Sequence, residues 1–199
     1  MAKTPIKRTG ITEETAKHFI INAGAIYSDL TYSTPEGWQG ELLGATSGGN
    51  EVAITMEFRE IEIDGAFSKY VGQKVLLASD ATLTANVKEI TANLVKMSIL
   101  GVSEPGNGTV APAEYMVIRG KGKVEPTDYL TNIALVGEIS GTNEPIIVIL
   151  DNALCTSGLN FSTADDDEAV VSMVFEAHAD ADQIEDRTLP ARIYMPIQA

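Results

Sequence analysis

The side chains that could carry catalysis are few and scattered in this 199-residue chain. The two histidines, His18 and His178, are far apart in sequence, and neither stands in a metal-binding spacing such as H-x-x-x-H. The single cysteine, Cys155, could act as a nucleophile with one histidine, but such a cysteine is more often a small buried hydrophobic residue. We therefore expect no catalytic residue and no enzyme activity.

One acidic run, Asp165-Asp166-Asp167-Glu168, is the best candidate for a metal site, because hard cations such as Ca²⁺ prefer several carboxylates. The run lacks the glycine and the distal glutamate of an EF-hand loop, and we favour a solvated loop. The sequence contains no phosphate-binding glycine loop and no G-x-S-x-G motif. We expect neither a metal nor another cofactor.

The charge balance bears on possible partners. Twenty-eight acidic residues face fourteen basic ones, which gives a formal net charge of −14. A surface this acidic repels a polyphosphate, so the composition argues against specific DNA binding.

The longest wholly apolar run, 146–150, is far too short to cross a bilayer, and no apolar segment of signal-peptide length follows the basic N-terminus. We expect one domain over residues 1–199, made in the cytoplasm, with no membrane contact.

Alternating apolar and polar residues predict a mainly β protein. In a predicted strand over 51–63, large apolar residues at 52, 54, 56 and 58 alternate with Glu51, Ala53, Thr55, Glu57 and Arg59, and a bulge near Arg59 would interrupt the strand. Asp64-Gly65 predicts a hairpin turn. Further strands are predicted at 19–27, 67–77, 79–87, 115–121, 129–139, 145–151, 169–178 and 191–195.

One helix and one long loop interrupt the strands. A helix is predicted over 92–100, with Thr91 as its N-cap and Gly101 as its stop. Pro35 and five glycines predict a long loop over 33–50. That loop carries Trp38, Leu42 and Leu43, which need an apolar surface in the same domain or in a neighbouring subunit. Together the elements predict a β-sandwich or barrel with one flanking helix.

Several passages resemble the major tail proteins of siphophages from Gram-positive hosts. They are Phe19–Tyr27, Gly40–Asn50, Phe58–Gly65 and Ala81–Asn86, the last leading to Glu89–Thr91. The resemblance covers residues 19–100 well and the remainder loosely, through order and spacing rather than one motif. It implies a tail-tube fold whose copies close into hexameric rings, and rings that stack into the hollow tail tube through which phage DNA passes. It also implies a virion protein whose partners are further copies, a tape-measure protein, tail chaperones and a tail terminator.

The resemblance also suggests roles for named residues. The loop 33–50 would reach a neighbouring subunit or ring, with Trp38, Leu42 and Leu43 as its apolar anchors. DNA must pass through a tube without binding, which favours an acidic, hydroxyl-rich wall. We therefore expect the polar faces of 51–62 and 80–88 to line the lumen, although Arg59 and Lys88 would add positive charge there. The predicted lumen residues are Glu51, Thr55, Glu57, Asp80, Thr82, Thr84 and Asn86.

Three alternatives stay open. A tube subunit of a phage-derived bacteriocin or of a secretion system would have the same fold. A monomeric β-sandwich binding module belongs to another class, and the low aromatic content of 6% argues against it. An enzyme that uses the acidic run 165–168 with a metal is the third.

Overall fold

Antiparallel strands account for most of the regular structure, which the computed structural model describes for residues 9–163, 165–166 and 168–197. The strands are β1 (Ile20–Ser33), β2 (Gly37–Leu42), β3 (Glu51–Glu60), β4 (Lys74–Val87), β5 (Gly101–Pro105), β6 (Met116–Gly120), β7 (Leu130–Ile139), β8 (Ile146–Cys155), β9 (Val171–Glu176) and β10 (Ala191–Tyr194). The helices are α1 (Ala92–Ser98) and α2 (Ala181–Asp186), and single 3-10 turns span Thr15–His18 and Pro126–Asp128.

The main sheet has the strand order β2-β1-β7-β8-β9-β4-β3, while β5 and β6 form a separate hairpin. Strand β8 pairs with β10 through Ile147–Leu150 and with β9 through Leu154 and Cys155. It therefore belongs to two layers, one made of β2-β1-β7-β8-β10 and the other of β8-β9-β4-β3. Apolar side chains from both layers meet between them, which makes the fold a β-sandwich with one shared strand.

The core follows from the period of two along each strand. In β4, the residues of one parity are at most 2% exposed: Ala81, Leu83, Ala85 and Val87. Across the sandwich they pack in one cluster with Ile26, Ile133 and Leu150, and within their own layer with Met173 and Phe175. Helix α1 adds Leu94, which is fully buried, and begins at Thr91, whose side-chain hydroxyl accepts a hydrogen bond from the Leu94 amide at 3.2 Å. The mainly β sandwich with a flanking helix is thereby confirmed.

The predicted long loop over 33–50 is wrong in its first half. Residues 34–36 form a turn, and β2 then pairs with β1 through Tyr32–Trp38 and Tyr27–Leu42. Gly40 suggested a loop, but a Cβ there would lie 2.9 Å from Leu30 Cδ1 and 3.1 Å from the Ser28 oxygen. The glycine therefore permits close packing inside a strand. The remaining segment, 43–50, lies along the end of β4, where Thr46 bridges to Val87.

Strands β3 and β4 extend beyond the sandwich as a projecting hairpin. We call residues 56–79 the arm. The two strands are in register from Glu51–Thr84 to Glu57–Ala78, and a bulge then shifts the pairing to Phe58–Leu76, where the earlier register would pair Phe58 with Leu77. A turn forms at the predicted Asp64-Gly65, because the Ala66 amide donates to the Ile63 oxygen at 3.2 Å, but it lies within a longer connection between β3 and β4 and does not join the two strands directly. The returning strand begins only at Lys74 instead of 67.

Besides β2, two further elements were missing from the sequence prediction. Strand β5 lies between the predicted helix and the predicted strand at 115–121, where we predicted no strand. Helix α2 begins with a capping box, in which the Gln183 amide donates to Asp180 Oδ1 at 2.9 Å and the Asp180 amide donates to Gln183 Oε1 at 3.1 Å. The spacing Asp-x-x-Gln is a recognisable helix start.

A buried amide holds β1 against β7 where the strand is irregular. Asp29 has a φ of 51°, and the β1–β2 register shifts between Ser28 and Thr31. The Leu30 amide donates to Asn132 Oδ1 at 2.8 Å, and Asn132 Nδ2 donates to the Leu30 oxygen at 3.1 Å. The Asn132 side chain therefore replaces two backbone partners that the ladder does not supply.

We expect Asn132→Ala to lower the free energy of unfolding by about 2 kcal/mol, because it leaves the Leu30 N–H and C=O buried without partners. Urea denaturation of the monomeric chain measures the change. Thr131→Ala, at the exposed neighbouring position, is the control, and equal stability of the two variants would contradict the role of Asn132.

Candidate assembly surfaces

The residues with catalytic potential do not form a nucleophile–base pair in the described ranges. Cys155 is buried, and burial raises the pKa of its thiol. Its Sγ atom lies 3.6 Å from Ser157 Oγ. His178 packs edge-on against the Tyr129 ring at 5.0 Å between centroids, and His18 is exposed. No described hydrogen bond joins Cys155 to either histidine.

The acidic run gives no metal site that the structure describes. Within the described residues, no three His, Cys, Asp or Glu side chains converge on a position that could hold a metal ion. Asp165 and Asp166 are exposed, and Asp167 lies outside the described residues. Glu168 Oε2 lies 2.7 Å from Lys88 Nζ, and this hydrogen bond holds the pKa of Glu168 below its usual value.

None of the helices described is long and apolar enough to cross a membrane.

The seven predicted lumen residues share one face of the β3–β4 pair. Residues opposite each other in an antiparallel pair point to the same side of the sheet. Two opposite pairs, Glu51–Thr84 and Thr55–Asp80, have their side chains on the side away from the core. Thr82 and Glu57 follow the same register and lie on that side too. Asn86 has the same parity in β4. We call these residues the polar face: Glu51, Thr55, Glu57, Asp80, Thr82, Thr84 and Asn86.

The polar face continues onto β9, where Glu176 lies opposite Thr82 and Ser172 lies opposite Asn86. Thr156 Oγ1 donates to Glu176 Oε1 at 2.9 Å, which adds another hydroxyl to this surface. Of the two cations that we expected to weaken the acidic character, Lys88 forms its ion pair with Glu168, and Arg59 lies beyond the bulge. The resulting surface is acidic and rich in hydroxyl groups. Whether it lines a lumen stays a prediction.

The three predicted contact residues have different environments. Leu43 is only 8% exposed and belongs to the core of its own chain, because its amide donates to the Ile26 oxygen and draws the residue under the sandwich. An almost fully buried side chain has little surface left for another subunit, which corrects its proposed role as an anchor. Leu42 is 54% exposed, and Trp38 is half-buried. Contact of these two residues with a neighbouring subunit stays a prediction.

Trp38 joins distant parts of its own layer. Its ring lies 5.3 Å from that of Tyr32 on β1 and 4.9 Å from that of Tyr194 on β10. β2 and β10 are the two outer strands of this layer, so the layer must curl strongly for their side chains to meet. The curl encloses a second apolar cluster formed by Leu30, Ala134, Ile147 and Ile149. Trp38 therefore has a structural role within one chain.

The arm carries the apolar residues that sequence reasoning did not assign to a contact surface. Phe67 and Val71 have essentially complete exposure, each at 103%. The other exposed large apolar side chains of the arm are Met56, Phe58, Ile61, Ile63, Tyr70, Leu76 and Leu77. Exposed apolar side chains concentrated in one hairpin make the arm a candidate interaction site. After the bulge predicted near Arg59, the apolar residues Ile61 and Ile63 occupy the opposite parity to Val52–Phe58, and this was the sequence feature that could have indicated it.

Open strand edges accompany the exposed apolar surface. β3 ends the described sheet order on one side, so its outer backbone groups have no strand partner. β9 pairs with β4 from Thr82 to Val87, and the Ala177 amide donates to the Ala81 oxygen at 3.0 Å, which leaves this edge of β4 without a described strand between Lys74 and Asp80. Exposed edges pair readily with further strands unless a protein protects them. The arm thus offers backbone groups and apolar side chains together.

No protein-family model matches the chain, and no curated protein matches it significantly. Among solved structures, one similar chain comes from the tail of an empty GTA particle with C6 symmetry. The identity is 12%, the match covers 79% of this chain and 92% of that chain, and the TM-score is 0.43. A likeness of this extent does not by itself establish a common fold.

We expect Trp38→Ala to lower the free energy of unfolding by about 3 kcal/mol, because the aromatic contacts that close the curled layer are lost. Leu42→Ala, in the same strand but exposed, is expected to change it by no more than about 0.5 kcal/mol. Thermal and urea unfolding of the monomeric variants give both values. A Trp38 variant as stable as the Leu42 variant would contradict the intramolecular role.

Proposed function

We propose that this chain is a structural, non-enzymatic subunit that self-assembles into the hollow tail tube of a phage or of a phage-tail-like particle. The observation that carries the proposal is the arm, with Phe67 and Val71 fully exposed beside an open strand edge. A chain that remained monomeric would expose this apolar surface permanently, at a risk of aggregation. A neighbouring copy of the same chain covers it without any further component.

The proposed assembly is a ring of six copies whose sheets join edge to edge, followed by stacking of rings. The open outer edge of β3 supports this arrangement, because closure into a ring removes the free edges of every copy. A contact between two different surfaces closes into a ring when its rotation is correct. The number six comes from the family resemblance.

The polar face supports the proposed passage of DNA. Its seven residues include three carboxylates, from Glu51, Glu57 and Asp80, and no Lys or Arg. Every phosphate contact with a basic residue would add affinity by releasing counterions. A carboxylate and hydroxyl surface avoids that contribution and lets DNA move without specific binding. We therefore propose that the polar face lines the bore.

The same proposal places the protein in the tail of a virion after assembly in the host cytoplasm. Its other partners would be the tape-measure protein, the tail chaperones and the tail terminator, which the family resemblance implies. A tube subunit of a bacteriocin or secretion system would assemble by the same contacts.

Assembly of the purified chain tests the proposal. We expect rings or hollow tubes of uniform diameter by negative-stain electron microscopy, and a concentration-dependent shift to large species in analytical ultracentrifugation. Val71→Ser, in the arm, should weaken assembly, because it removes apolar surface that a neighbour covers. Val110→Ser, at an exposed position between β5 and β6, is the matched control. A strict monomer at every concentration would refute the proposal.

The position of the polar face has a separate test. We expect Thr55→Cys, labelled with a gold-cluster maleimide, to place density along the axis of assembled tubes. The unmodified chain is the control, because its Cys155 is only 5% exposed and should take up little label. Density on the outer wall would contradict the assignment of the polar face to the lumen.

A further inference from the structure

A groove lies where the arm leaves the sandwich, between β4 and α2, with a volume of about 630 Å³. Residues 75–80 of β4 form one wall, and Ile184, Arg187 and Pro190 form much of the other. Leu77 and Ile184 are both exposed at more than half of their surface. The groove is therefore an apolar surface that the chain itself leaves uncovered.

The backbone of the groove is also open. Its β4 wall, residues 75–80, lies in the stretch of β4 along which β9 provides no pairing. An open edge next to exposed apolar side chains can bind another chain through both kinds of group. The groove thus has the features of a docking surface rather than of a small-molecule cavity.

An unpaired cation stands at this groove. Among the Lys and Arg residues that the structure describes, Arg59, Lys96 and Arg187 are the ones without an ion pair within 4 Å. Arg187 ends α2 with a φ of 54° and lines the groove. In a chain with a net charge of −14, a cation without a carboxylate partner is free to bind one from another copy.

The tip of the arm has the complementary features. The turn Ile63–Ala66 presents Asp64, which makes no ion pair among the described residues, and Phe67 follows it with its ring fully exposed. An aromatic side chain with an adjacent carboxylate matches an apolar groove that carries one guanidinium group.

We propose that the arm tip of one copy docks in the β4–α2 groove of a second copy, with Phe67 between β4 and α2 and the Asp64 carboxylate paired with Arg187. This inference rests on the proposed function and specifies one of its contacts. Tip and groove lie at opposite ends of the same arm, so the contact is heterologous and repeats from copy to copy along the arm. We assign it to the contact between stacked rings, because the open β3 edge already supplies the proposed contact within each ring.

A charge exchange tests the ion pair. Asp64→Arg and Arg187→Glu should each raise the concentration needed for assembly about tenfold or more, because each places like charges together. The double variant should return it to near the wild-type value. Lys96→Glu makes the same charge change as Arg187→Glu at another unpaired cation outside the groove, and should assemble normally. Single variants without effect, a double variant that is not restored, or an equal defect in the control would each overturn the inference.

Cross-linking tests the position of Phe67. A Phe67→Cys chain mixed with an Ile184→Cys chain should give a covalent dimer under mild oxidation. The pair Phe67→Cys and Ile193→Cys, with the second cysteine at an exposed site on β10, should give none. Equal yields from both pairs would overturn the proposed docking.

The outcomes separate this inference from the proposed function. A wild-type chain that never assembles refutes the proposed function itself. A wild-type chain that forms tubes, together with a negative charge exchange and negative cross-linking, refutes only this contact. Loss of stacks with retention of single rings in the two single variants supports the inference most directly.

Discussion

The antiparallel pairing of β3 with β4 is the constraint on which the other features depend. Because opposite residues share a side, one register places Val52 and Leu83 towards the core and Thr55 and Asp80 away from it. A slip of one residue would exchange the two faces, exposing the core row and burying carboxylates. The same two strands then run past the sandwich and form the arm. The core row, the polar face and the arm therefore all follow from the pairing of β3 with β4.

Much of the fold could be predicted because period and capping are local properties. The alternation of apolar and polar residues predicted the strand that became β4, and the Thr91 cap predicted helix α1. The residues of the polar face were chosen because they occupy alternate positions along the two strands. Long-range packing was not accessible in the same way. Gly40 looked like a loop residue, since only the structure shows that Leu30 and Ser28 approach its Cα too closely for a side chain.

The sequence also could not show which apolar residues the chain itself covers, for a related reason. Trp38 and Leu43 are apolar residues among glycines, and sequence gives no means of telling whether such residues meet their own chain or another. In the structure Trp38 closes a curled layer, and Leu43 enters the core. The exposed apolar residues lie instead in the arm. Exposure depends on where β4 loses its neighbour β9, which is a property of the whole sheet.

The sharing of β8 between both layers has a mechanical consequence. Its central residues are bonded to β7 and β10, and its last residues are bonded to β9. Tension applied across the sandwich therefore loads the hydrogen bonds on both sides of β8. The two layers cannot separate unless the backbone hydrogen bonds of β8 to its neighbouring strands break. In the proposed tube, each subunit would therefore resist shear between its two layers.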